Sequence, residues 1–126
     1  KEGQEAASDS ITLCLNPYDC AELYFFTVTR EGALEARVRS RSGERVLSTE
    51  SVSLKLERKD NEWLVEMALP WTVFGMEGPP GAGEAWRLNI VRQRAAAPPQ
   101  TSFWAGSPGQ YARVENYGQL FFAPEP

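Results

Sequence analysis

Seventeen carboxylates, thirteen basic side chains, two cysteines and no histidine are the groups with which this chain can do chemistry. Without an imidazole, histidine-dependent triads and histidine-ligated zinc or haem centres are excluded. Two thiols fall short of a structural zinc site, which takes four ligands. Cys14 and Cys20 stand close together in LCLNPYDC. They either form a local disulfide in an oxidising compartment or remain two free thiols, one packed in the fold. Glu66 and Glu84 are the acid–base candidates, but no pattern sets a pair of carboxylates across one cleft at glycosidase spacing. The residues therefore point to binding, not to an enzyme. Aromatic side chains gather late in the chain, at Phe103, Trp104, Tyr111 and Tyr117. Asn89 and Arg92 are polar groups that can either serve a ligand beside them or satisfy buried backbone.

The elements that must position these groups are strands. DSITLCL (9–15), LYFFTVTR (23–30), ALEARVR (33–39), VSLKLER (52–58), EWLVEMALP (62–70), AWRLNIVR (85–92) and QLFFA (119–123) carry the two-residue period of strands with one buried face. Between them, NPYD, EG (31–32), RSGE (41–44), KDNE (59–62) and EGPPGAGE (77–84) supply turn chemistry. Pro70 cannot donate to a ladder and should end its strand, with a single helical turn inside 71–76. Seven or eight short strands predict an all-β fold, an antiparallel sandwich of the immunoglobulin or jelly-roll kind. Strands at 11–15, 23–29, 52–58, 63–69, 85–92 and 119–123 should pack as two sheets. Leu13, Phe26, Leu56, Trp63, Val65, Leu69, Leu88 and Ile90 should form their core, with Trp71 closing one end. Glu66 has the opposite parity to Val65 and Met67; it is either solvated or paired with Arg87 or Arg92.

A chain of 126 residues is one domain. Residues 1–8 read as a tail or linker, and 9–126 as a module of a larger protein. Its first strand has the character of a central one, with further partners expected upstream. A net charge of −4 and the lack of a long basic run argue against nucleic acid or anionic membranes as partners. No stretch reaches the roughly 18 apolar residues of a spanning helix.

The order DSITLCLNP, YFFTVTREG, NEWLVEMALPWTVFG, GEAWRLNIVRQR, SFW and YGQLFF resembles carbohydrate-binding module family 9 and, more distantly, the dopamine-monooxygenase N-terminal (DOMON) domains. The resemblance covers most of 9–123 and is most specific over Trp63–Gly75. It implies a non-catalytic module that attaches a larger secreted or envelope protein to an oligo- or polysaccharide. The alternative is a structural or protein-interaction sandwich that has lost the sugar site. It implies that Trp71 packs beneath the Pro-Trp turn. It also implies that Tyr111 is the loop aromatic that stacks on sugar. Trp104 would stand at the same end, with Asn89 and Arg92 in reach. Thr12 and Thr27 stand where the family carries charged or amide groups, on the concave side of the sheet. Calcium is a family possibility, and Asp9, Asp19 and Glu22 are its only plausible cluster here. A haem, as in some DOMON domains, would have to use Met67 or Met76 as axial ligand.

Overall fold

A computed structural model describes residues 9–60, 62–95, 100–105 and 114–123. The expected tail at 1–8 and Tyr111 lie outside the described residues, as does the side chain of Asp19. Nine strands form among those described: β1 (Ser10–Asn16), β2 (Leu23–Thr29), β3 (Leu34–Ser40), β4 (Gly43–Leu47), β5 (Ser53–Arg58), β6 (Trp63–Ala68), β7 (Ala85–Arg94), β8 (Gln100–Phe103) and β9 (Gly118–Phe121). All pairings are antiparallel. Seven strands make one sheet in the order β4-β3-β2-β1-β7-β8, and β5 and β6 make a separate hairpin. β9 shares an edge of β7 with β8: β8 takes residues 91–94 and β9 takes 85–88. The first strand is central, as its apolar content predicts, but β2 and β7 from later in the chain fill both its edges, in place of the partners expected upstream.

Alternation decides what each strand buries. Leu15 of β1, Tyr24 and Phe26 of β2, Ala36 and Val38 of β3 and Trp86 of β7 form the main core, with Met67 and Leu69 packed against it. The turn after β6 closes one end. Pro70 stops the ladder, Trp71–Phe74 form a 3-10 turn, and Gly75 ends it in the left-handed conformation at φ 75° that favours glycine. The Trp86 ring meets Phe74, Phe122 and Trp71 edge-on at centroid distances of 5.0, 5.1 and 6.1 Å, the geometry that aromatic quadrupoles favour.

Several expectations are corrected. The turn read at 41–44 is confined to Arg41 and Ser42, and a strand over Gly43–Leu47 follows it; its charged, exposed residues are those of an edge, which gives no alternation to read. Two further 3-10 turns occur, at Pro17–Asp19 and Val114–Asn116. Ile90, expected in the core, is 38 % exposed, and Leu13, Leu56, Trp63, Val65, Leu69, Trp71 and Leu88 are only half-buried. The reason is the cover: a two-stranded hairpin is too narrow to roof a seven-stranded sheet. Glu66 is exposed and faces Lys55 across the hairpin, so it is a solvated carboxylate and not half of a buried pair with Arg87 or Arg92.

Candidate functional site

The side of the sheet opposite the hairpin is where polar and charged chemistry collects. Its residues are the alternates of the core set: Ser10, Thr12 and Cys14 on β1, Phe25 and Thr27 on β2, Glu35, Arg37 and Arg39 on β3, and Val91 and Gln93 on β7. Toward β8 and β9 this face is covered by a second small core in which Cys14, Leu23, Phe25, Val91 and Tyr117 pack together, with Phe103 and Val114 against them. Burial pushes the Cys14 thiol up to about 11, against a smaller lowering by its hydrogen bond with Tyr117. Cys14 is buried and Cys20 exposed, and both are free thiols.

Toward β3 and β4 the same face is open. A hollow of about 220 Å³ is lined by Ser10, Thr12, Thr27, Gln93, Glu35, Arg37, Arg39 and Glu44, with Phe25 and Val91 at its apolar side. That volume suits one small ring; drug-sized pockets run to roughly 300–1,000 Å³. The side chains are held in place. Thr12 Oγ1 and Thr27 Oγ1 share a hydrogen bond of 2.9 Å across directly paired residues. Arg37 Nη1 donates to Glu44 Oε1 at 2.6 Å, and its Nε lies 3.4 Å from Glu35 Oε1. The Arg39 guanidinium lies 5.2 Å from the centre of the Phe25 ring, with its Nε 3.5 Å from Glu44 Oε2. Carboxylate acceptors, guanidinium donors and hydroxyls that do both alternate around the rim. A polyhydroxylated ligand, whose every hydroxyl donates and accepts, matches such a rim.

Of the residues that the sequence singles out for binding, the three described, Asn89, Arg92 and Trp104, do not converge on this hollow. Asn89 is fully buried: its Nδ2 donates to Ala105 O at 3.0 Å, and its Oδ1 accepts from Ala105 N and Ile90 N, both at 2.9 Å. Its amide is used to pin the turn after β8, the backbone-satisfying role. Arg92 pairs with Ile11 and points to the hairpin side, where it lines a cleft with Trp63, Arg30 and Asp60. Trp104 is 57 % exposed and lies over Gly118, whose missing side chain leaves the room that the indole occupies. Gly118 pairs with Leu88, so Trp104 shares the hairpin side with Arg92 and the exposed Ile90. Thr12 and Thr27 do face the open side, and the arginines and carboxylates of β3 and β4 beside them went unnoticed. The signal was present in LEARVRS, where charged residues alternate with apolar ones.

The calcium cluster does not assemble. Asp9 and Glu22 flank opposite ends of β1, a seven-residue strand that spans ~23 Å, and Asp9 Oδ1 accepts from Ala95 N at 2.8 Å. Among the described residues no three His, Cys, Asp or Glu side chains stand together. Met67 and Met76, the axial-ligand candidates, pack against the apolar core. Comparison of the chain with family models, with curated proteins and with solved structures gave no match.

Proposed function

We propose that this domain is a non-catalytic glycan-binding module whose site is the open face of the seven-stranded sheet. One observation carries the reading: ten residues from five adjacent strands line a single hollow whose rim is almost wholly hydroxyl, amide, carboxylate and guanidinium. Sites built on strands are rigid, so their hydrogen bonds are formed with little ordering cost on binding. Phe25, the aromatic residue of this lining, is only 8 % exposed and lies beneath Arg39. Recognition at the hollow therefore runs through hydrogen bonds to sugar hydroxyls, not through stacking. In this reading the module attaches a larger secreted or envelope protein to an oligo- or polysaccharide, the role that the resemblance to family 9 modules implies.

The test is a titration of the folded domain with xylo- and cello-oligosaccharides, followed by amide chemical shifts and calorimetry. Resonances of Thr12, Thr27, Glu35 and Gln93 should move. Thr27→Val and Gln93→Ala should each weaken binding by about fivefold, the worth of one ordinary hydrogen bond. Binding that survives both substitutions but is lost in Trp104→Ala would move the site to the Trp104–Arg92 side. A protein-interaction sandwich is the second reading, favoured by the exposure of Trp104 at 57 % and Ile90 at 38 % on the hairpin side of β7. Failure of every glycan to bind would leave that reading as the better one.

A further inference from the structure

The open face does not end at the hydroxyl-rich hollow. Arg39 also borders a second one, of about 480 Å³, lined by Asn16, Cys20, Ala21, Leu23, Ser40, Arg41, Arg87, Val114 and Glu115. The two differ in charge. Around the first, Glu35 and Glu44 balance Arg37 and Arg39. Around the second, Arg41 and Arg87 stand beside Arg39, which Glu44 already balances, and face a single carboxylate, Glu115, in a chain whose net charge is −4. Fields at this range are set by the nearest groups, because salt screens charges beyond roughly 8 Å.

The cationic hollow is also a built one. Asn16 is 2 % exposed, and its Nδ2 donates to Cys20 O at 2.9 Å and to Glu22 O at 2.8 Å, fixing the loop that forms one wall. Arg87 pairs directly with Asn16 in the sheet, is half-buried, and donates from Nη1 to Val114 O at 3.5 Å on the opposite wall. Arg41 stands in the β3–β4 turn, exposed and outside every ion pair seen among the described residues. A guanidinium is planar and forks onto a carboxylate with two parallel hydrogen bonds. Glu35, Arg37 and Arg39 follow one another along one face of β3 over ~13 Å, and Arg41 lies just beyond. The two hollows, separate but sharing Arg39 as a wall, make a stepped trough that a ligand of more than one sugar ring would span.

Resting on the glycan-binding reading above, we propose that the ligand is an acidic saccharide: neutral hydroxyls lie in the hollow of Thr12, Thr27 and Gln93, and the carboxylate of a uronic acid unit is seated by Arg39, Arg41 and Arg87. The acidity of the whole chain does not oppose this, since the trough presents its excess positive charge locally. Sugar hydroxyls alone would not need three arginines at one end.

Trigalacturonate and its fully methyl-esterified counterpart are the probes, because the ester keeps the shape and removes the charge. The acid should bind the domain at least about tenfold more tightly than the ester, as expected for charge-assisted over neutral hydrogen bonds. That preference should shrink as salt is raised from low to physiological ionic strength. Arg41→Gln, on an exposed turn, should leave the melting temperature unchanged and cut the preference to about a third or less; Arg87→Gln should do the same more strongly. Equal affinity for acid and ester overturns the inference while the glycan-binding reading stands. So does a preference that persists in both arginine variants. If neither probe binds, and no neutral oligosaccharide does, the inference and the reading beneath it fall together.

Discussion

Along β3, Ala36 and Val38 are each 1 % exposed, whereas Glu35, Arg37 and Arg39, one residue away, stand in solvent. The same contrast runs through the sheet wherever the second small core does not cover its open side. On the hairpin side Leu15, Tyr24, Phe26 and Trp86 close a core; on the other side Thr12, Thr27 and Gln93 line a trough. Outside the second core of Cys14, Leu23, Phe25, Val91 and Tyr117, the strands of the sheet therefore carry stability on one parity and surface chemistry on the other. The division also explains why the open face can hold charged groups at little cost: the backbone beneath them is fixed by packing on the far side.

If this contrast is right, substitutions on the two faces should separate cleanly. The largest effects belong to the core. Phe26→Ala and Trp86→Ala should each cost about 3–5 kcal/mol in chemical denaturation, the range for truncating a large buried aromatic. A loss below about 1 kcal/mol for Trp86→Ala would mean that its aromatic cluster is not the keystone of the fold. Trp71 meets Trp86 and Phe122 edge-on but is half-exposed, so Trp71→Ala should cost less, about 2–4 kcal/mol.

Cys14 sharpens the comparison, since it belongs to the open side yet is fully buried beneath Tyr117. With its thiol pushed up from 9.0 to about 11, the folded state favours the neutral form. The associated stability is complete below pH 9 and is lost as pH climbs from 9 to 11, at most about 3 kcal/mol. Burial also pushes the Tyr24 hydroxyl up to about 12, which continues the loss above pH 10. Melting temperatures measured between pH 8 and 11 should fall less steeply in Cys14→Ala than in the parent. In the native protein a thiol reagent should modify Cys20 and spare Cys14 until the chain unfolds.

Asn89→Ala should cost about 1–3 kcal/mol, because it strands the N–H and carbonyl of Ala105. It should also loosen the seat of Trp104, visible as a shift of indole fluorescence. The smallest effect is predicted for Thr27→Val and Gln93→Ala, each within about 0.5 kcal/mol of the parent in stability, as for surface positions. A clear loss of stability in either would blur the line between the faces.

Much of this architecture was readable from the alternation of apolar residues. The strands at β1, β2, β5, β6 and β7, the stop at Pro70 and the turn at Trp71–Phe74 follow from it and from proline chemistry. Edge strand β4 escaped because an exposed edge needs no apolar face. Ile90 was misplaced because its parity is that of the core while the hairpin stops short of it. Asn89 and Arg92 stand three residues apart on one strand, which puts them on opposite faces; reading them as joint ligand groups overlooked that parity. Trp104 and Gly118 meet because β8 and β9 follow one another along β7, a pairing no local period announces.

What the amino-acid sequence determined by itself is therefore the local order: an all-β chain, the ends of its strands, and the excess of carboxylates with no histidine. A period of two residues and the φ restraint of proline act within a few residues, so they are legible without a partner. Only the tertiary structure decided that β1 lies between β2 and β7, that the β5–β6 hairpin alone, among the described residues, makes the second sheet, and that Arg39 and Arg87 border one hollow. Those outcomes depend on which distant strands share hydrogen bonds and on how widely one layer covers another. Pairing registers of this kind are settled by the packing of the whole chain.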